Sequence, residues 1–150
     1  MPETFLRSVM ITGSIIASIE ETDRKEEDAY VAAVRDGFLA TGCTKGKFGI
    51  GDEKSAKAMK ERGVSLEQVQ EALLLGAFRK YGSWLNGGSP DSIGSLTYFE
   101  LLLSEIHDRP LPSGYREYLH TKVAQLARIW EETKAAAHRA KIVEDLPPEQ

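Results

Sequence analysis

The stretch Ser65–Ile106, SLEQVQEALLLGAFRKYGSWLNGGSPDSIGSLTYFELLLSEI, constrains this chain most, because two helices with readable starts are joined there by a glycine-rich turn. Ser65 has Gln68 three residues on, the capping-box pair in which a hydroxyl and a side-chain amide each take up a free backbone N–H. A helix is therefore expected from Leu66. Leu66, Val69, Leu73, Ala77 and Tyr81 then recur at spacings of three and four, while Glu67, Gln70, Glu71 and Lys80 fall on the wet side. Leu74, Leu75 and Phe78 widen the apolar stripe, so this helix, near 66–82, is expected at the centre of the fold with neighbours on two sides. Asn86, Gly87, Gly88, Ser89 and Pro90 break it with turn chemistry. Ser95 is the next candidate cap, followed by Leu96, Phe99, Leu102, Leu103 and Ile106 on one face until Asp108, Arg109 and Pro110 end the run.

The same reading extends outward. Glu26 to Thr41 predicts a helix with Tyr30, Ala33, Val34 and Phe38 inward, closed by Gly42. Asp52 is positioned to cap a short helix to Arg62, which Gly63 terminates. From about Tyr115 to about Val143 the chain reads as one helix with Tyr115, Leu119, Val123, Leu126, Trp130, Thr133 and Ala137 in a stripe. Such a helix is about 45 Å long, more than a domain of this size is wide, so its end is expected to protrude, fray or dock. No stretch alternates as a strand does. The expectation is a single all-α domain over residues 1–144, with five to six helices and a disordered tail at 145–150.

The opening, MPETFLRSVMITGSIIASIEE, has an apolar run, but Glu3 precedes Arg7 and Thr12, Gly13, Ser14 and Ser18 interrupt it. It reads as neither an export signal nor a membrane span. It is expected instead to form a helix that lays Phe5, Val9, Ile16 and Ile19 on the core, with Gly13 and Ala17 allowing close approach. Cys43 is the sole cysteine, which excludes an intramolecular disulfide and fits a reducing cytoplasm.

No residue set converges on a reaction. The loop GCTKGKFGIG has a Gly-Lys pair, but Gly42 and Gly46 are one residue too close for a P-loop and Phe48 stands where the hydroxyl belongs. It reads as a mobile surface loop. Glu117 and His120 have the spacing of half a di-iron carboxylate site, yet neither His107 nor His138 has the matching glutamate. Glu100, Ser104 and His107 share one helical face and cannot by themselves enclose a metal. No cofactor or metal is therefore expected. The pair of helices around Gly63 resembles a helix-turn-helix in spacing only: Arg62 and Met59 sit where an apolar and a small residue belong, and Glu67 and Glu71 would face the duplex.

Charge is unevenly spread although the chain carries a net −4. Residues 20–36 hold seven acids against three bases, and residues 45–62 hold six bases against three acids. The second segment is the candidate polyanion-facing side, with Lys45, Lys47, Lys54, Lys57 and Lys60 as phosphate partners and Trp84 and Tyr98 as stacking groups.

The segment Gly63–Ile106, a helix of small and aliphatic residues, a loop and a short helix opening SLTYFE, resembles the helical C-terminal regions of bacterial replication-initiation and mobile-element proteins, loosely similar to DnaD-like primosome domains. The tyrosine-isoleucine-tryptophan pattern associated with DNA in that group has its closest match here in Tyr98, Leu102 and Ile106, and the tryptophan is missing. The resemblance implies a non-enzymatic accessory module of DNA replication or a mobile element, acting by protein contact and weak nucleic-acid contact. The competing expectation is a small enzymatic or ligand-binding bundle with Trp84, Asn86, Tyr98 and Glu100 around a pocket at the 81–100 turn. The alanine-rich end of the last helix, at Ala135, Ala136, Ala137 and Ala140, suggests a protein partner or a homodimer through that helix.

Overall fold

A computed structural model of the chain describes residues 2–145, with side chains from residue 17 onward. Five α-helices and one 3₁₀ turn follow in order: α1 (Pro2–Ala40), α2 (Ile50–Glu61), α3 (Leu66–Leu85), the 3₁₀ turn Leu96–Phe99, α4 (Glu100–Asp108) and α5 (Tyr115–Asp145). The fold is all-α. Among the described residues the only β-type pairing is an isolated parallel bridge between Thr44 and Ile93, and no helix is long and apolar enough to cross a membrane.

The central position of α3 follows from its girth of apolar residues. It contacts α1, α4, the 3₁₀ turn and α5, burying Val69, Leu73, Ala77 and Tyr81 together with Leu75. Its start is the expected capping box: Gln68 N donates to Ser65 Oγ and Ser65 N donates to Gln68 Oε1, both at 3.1 Å. Leu66 departs from the expected stripe and stays exposed. The 3₁₀ turn and α4 present Leu96, Phe99, Leu102, Leu103 and Ile106 to the core, all buried. Arg79 of α3 clamps Glu105 of α4 through two bonds of 2.6 Å on the surface, which holds the Glu105 carboxyl below its ordinary range.

The N-terminal half departs further from expectation. A single helix runs through Pro2–Ala40, since the polar stretch between the two apolar segments contains neither glycine nor proline and supplies a Glu21–Lys25 ion pair one turn apart. Ala17 and Ile19 are exposed and do not cover the core; the side chains of Phe5, Val9 and Ile16 lie outside those described. Farther along, Tyr30, Val34 and Phe38 point inward as expected, but Val31 is buried and Ala33 exposed. The inward stripe is centred between Tyr30 and Val31, and Ala33 lies about 120° away from it. In the same way α5 reaches Asp145, so that residue is helical rather than part of a tail; residues 146–150 lie outside the described chain.

Gly76 marks the closest approach of α3 to the 3₁₀ turn and α4. A Cβ there would sit 2.5 Å and 2.6 Å from ring carbons of Phe99 and 2.7 Å from Leu102 Cδ1. Phe99 and Leu102 are themselves buried and cannot swing away. Gly76→Ala is expected to cost about 1–3 kcal/mol by overpacking despite its gain in helix propensity. Gly82, further along the same helix, has open space where an alanine methyl would stand, with no described atom within 4 Å beyond its chain neighbours and its own helix backbone. Gly82→Ala is expected to stabilise by up to about 1 kcal/mol. Urea denaturation of the two variants should give opposite signs; two gains of similar size would mean that α3 does not approach α4 this closely.

Candidate nucleic-acid interface

The five lysines of the basic segment fall on two consecutive pieces of chain, the loop after α1 and the helix α2. Lys45 and Lys47 are exposed on the loop. That loop is fastened at several points rather than mobile: Ile93 N donates to Cys43 O at 2.7 Å, Lys45 N donates to Ile93 O at 3.0 Å, and Thr44 Oγ1 donates to Phe38 O at 2.9 Å. Phe48 closes its far end, edge-on to Phe38 with ring centroids 5.7 Å apart. Gly42 and Gly46 lie at its turns, Gly46 with φ 74°, while Thr44 and Phe48 supply anchors.

Lys54 and Lys57 are exposed on α2 and Lys60 is half-buried. At a spacing of three residues each successive lysine is rotated by about 60°, so the three fan across one sector of the helix. Among the described residues no carboxylate lies within ion-pair distance of any of the five. Asp52, the acid nearest the start of α2, is not its cap. Gly49 is, and Asp52 stands one turn in, with Oδ2 accepting from Gly49 N at 2.9 Å. Its other oxygen accepts from Leu96 N at 2.9 Å and lies 3.4 Å from Ser95 Oγ. The carboxylate is 7% exposed, and it ties the lysine-bearing helix to the 3₁₀ turn.

The two aromatic candidates are placed differently. Tyr98 lies on the 3₁₀ turn that α2 packs against, 42% exposed, its ring edge-on to Phe99 at 5.2 Å. Burial of part of the ring pushes its phenol pKa up. Trp84 is half-buried at the end of α3, its indole 4.9 Å from that of Trp130. Tyr81 meets Trp130 from another side at 5.5 Å, and Lys134 Nζ stands 4.6 Å over the Trp130 ring. Trp84 thus belongs to an aromatic cluster shared by α3 and α5. Lys134 is not among the residues expected from sequence, although a lysine four residues after a tryptophan on a helix is a legible cation–π signal.

Trp84 and Glu100, expected around one pocket, line different hollows. Trp84 shares a small apolar hollow of about 140 Å³ with Pro90, Trp130 and Ala137. Glu100 borders a wider groove of about 420 Å³ with Arg62 and His107, while Asn86 is exposed as the C-cap of α3. Glu117 and His120 are both exposed. Cys43 is fully buried and its thiol pKa is raised, by burial first, which disfavours the nucleophilic thiolate. The Tyr81 phenol beside it is pushed up for the same reason.

No family model, curated protein or solved structure matches the chain.

Proposed function

We propose that this protein is a non-enzymatic helical accessory module of bacterial DNA replication or of a mobile genetic element, making protein contacts and phosphate contacts to nucleic acid. The observation that carries the nucleic-acid part is the set of five lysines without ion pairs on a fastened loop and the adjoining α2. Rigid anchoring favours binding, because little order is lost when a partner docks. Tyr98, on the 3₁₀ turn packed against α2, is the group with ring surface left for a base. Trp84 contributes to the α3–α5 cluster first, and its stacking role on nucleic acid is the lesser part of this reading. The replication or mobile-element setting comes from the resemblance of Gly63–Ile106 to DnaD-like regions.

Fluorescence anisotropy with single- and double-stranded oligonucleotides tests the reading. Full engagement of the five lysines by duplex gives a slope of log K against log salt near about −4.5, a loss of about a hundredfold between about 50 and about 150 mM salt. Each exposed lysine replaced by glutamine, as in Lys45→Gln or Lys57→Gln, should flatten that slope by about 0.9. Absence of salt-sensitive binding to either oligonucleotide removes the nucleic-acid part and leaves protein contact.

A further inference from the structure

We propose that the chain forms a homodimer in which the exposed end of α5 pairs antiparallel with the same segment of a second copy, Glu132 of each facing the partner subunit's Arg139. Beyond the aromatic cluster at Trp130, every residue from 131 to 145 is exposed, yet the helix continues to Asp145. Fifteen residues of helix, all exposed and bordered among the described residues only by the shallow hollow at Trp84 and Pro90, are marginal by themselves.

A seam suited to a second helix runs along this segment. Leu126, Ile129, Thr133, Ala136, Ala140 and Val143 recur at alternating spacings of three and four, the repeat of two helices packed knobs into holes. It is not the stripe that α3 covers, which continues through Leu119, Val123 and Trp130; the two share only Leu126. Ile129 is 44% and Val143 66% exposed, so the seam has large apolar residues at its ends and small ones in its middle.

The distribution of size selects the orientation. Parallel pairing would set leucine on leucine and isoleucine on isoleucine at one end, alanine on alanine in two successive layers, and valine on valine at the other. The bulky layers would hold the helices apart where the alanines need them close. Antiparallel pairing about a point between Lys134 and Ala135 instead opposes Leu126 to Val143, Ile129 to Ala140 and Thr133 to Ala136. Each layer then matches a larger with a smaller residue. A two-fold axis makes every such contact twice.

The charges beside the seam agree with that register. Glu132 and Arg139 both flank it on one side, and antiparallel pairing places each against the opposite charge of the partner, twice per dimer. On the other side Trp130 comes beside the partner subunit's Ala137, which covers the apolar hollow lined by Trp84, Pro90 and Trp130. This assembly does not depend on the nucleic-acid reading above.

Light scattering and sedimentation of the full chain, with far-UV circular dichroism as a fold control, test it through two charge reversals at exposed positions. Glu132→Arg and Arg139→Glu should each weaken the dimer by about tenfold or more, and the double variant should regain the original affinity. A monomeric mass at about 100 µM overturns the proposal. So does a dimer indifferent to both reversals, which would use another face. Weakening by Arg139→Glu alone, without rescue in the double variant, would indicate parallel helices with Arg139 near the partner subunit's Glu144, and would overturn the antiparallel register.

Discussion

Trp130→Ala is expected to remove about 3–5 kcal/mol of folding stability, the range for truncating a large aromatic in a closed core. Against a total of about 5–15 kcal/mol for a domain of this kind, that is enough to leave the variant marginal. The indole is 1% exposed and heads the fully buried side chains by volume. It is also the point at which α5 is keyed to α3, with Tyr81 and Trp84 against its ring and Lys134 over it. Among the described residues its buried Nε1 has no hydrogen-bond partner. Trp130→Phe therefore loses volume and ring contact but also removes an unsatisfied donor, and should cost no more than about half as much. Ile129→Ala, one residue away on the exposed side, should cost under about 1 kcal/mol in the monomer. Urea denaturation followed by circular dichroism, with an unchanged slope on denaturant, gives all three values. A loss below about 1 kcal/mol for Trp130→Ala would mean that α5 is not docked on α3.

Local chemistry and one-face periodicity were legible in the sequence, and contacts between distant segments were not. The Ser65–Gln68 box is visible because both halves lie within one turn. The buried face from Leu96 to Ile106 is visible because a short helix with a single apolar side has one way to lie. Ala33 misleads because alanine is compatible with either side of a helix, and only the β-branched Val31 beside Tyr30 marks the true centre of the stripe. The joining of the two N-terminal segments into one helix is hidden by a stretch that is polar yet holds no helix breaker. For the candidate interface the residue types were legible and the support was not. Nothing in GCTKGKFGIG signals that Cys43 and Lys45 exchange backbone bonds with Ile93, some fifty residues away.

Asp52 is the sharpest case of such long-range dependence, and its removal is the second large effect expected. Asp52→Ala should cost about 3 kcal/mol. Two backbone donors lose their acceptor at once: Gly49 N at the start of α2 and Leu96 N at the start of the 3₁₀ turn. The first is a capping interaction, worth about 0.5–2 kcal/mol. The second is buried, and a buried N–H left without a partner costs about 1–3 kcal/mol because no water replaces the lost oxygen. A negative charge in the first turn of α2 also complements the helix dipole. Asp52→Asn separates these parts. The amide keeps the shape and one acceptor, but its NH₂ must face either Gly49 N or Leu96 N, donor against donor, so it should recover less than half of the loss. Ser95→Ala removes the hydroxyl that accepts from Thr97 N at 3.2 Å and donates to Asp52 Oδ1 at 3.4 Å, leaves both backbone bonds to the carboxylate in place, and should cost about 1 kcal/mol. Amide hydrogen exchange reads the mechanism directly: Leu96 N–H should lose protection in Asp52→Ala and retain it in Ser95→Ala. Equal stability of Asp52→Ala and the parent protein would show that α2 and the 3₁₀ turn are held together by their apolar contacts alone, through Ala56, Met59, Leu96 and Phe99.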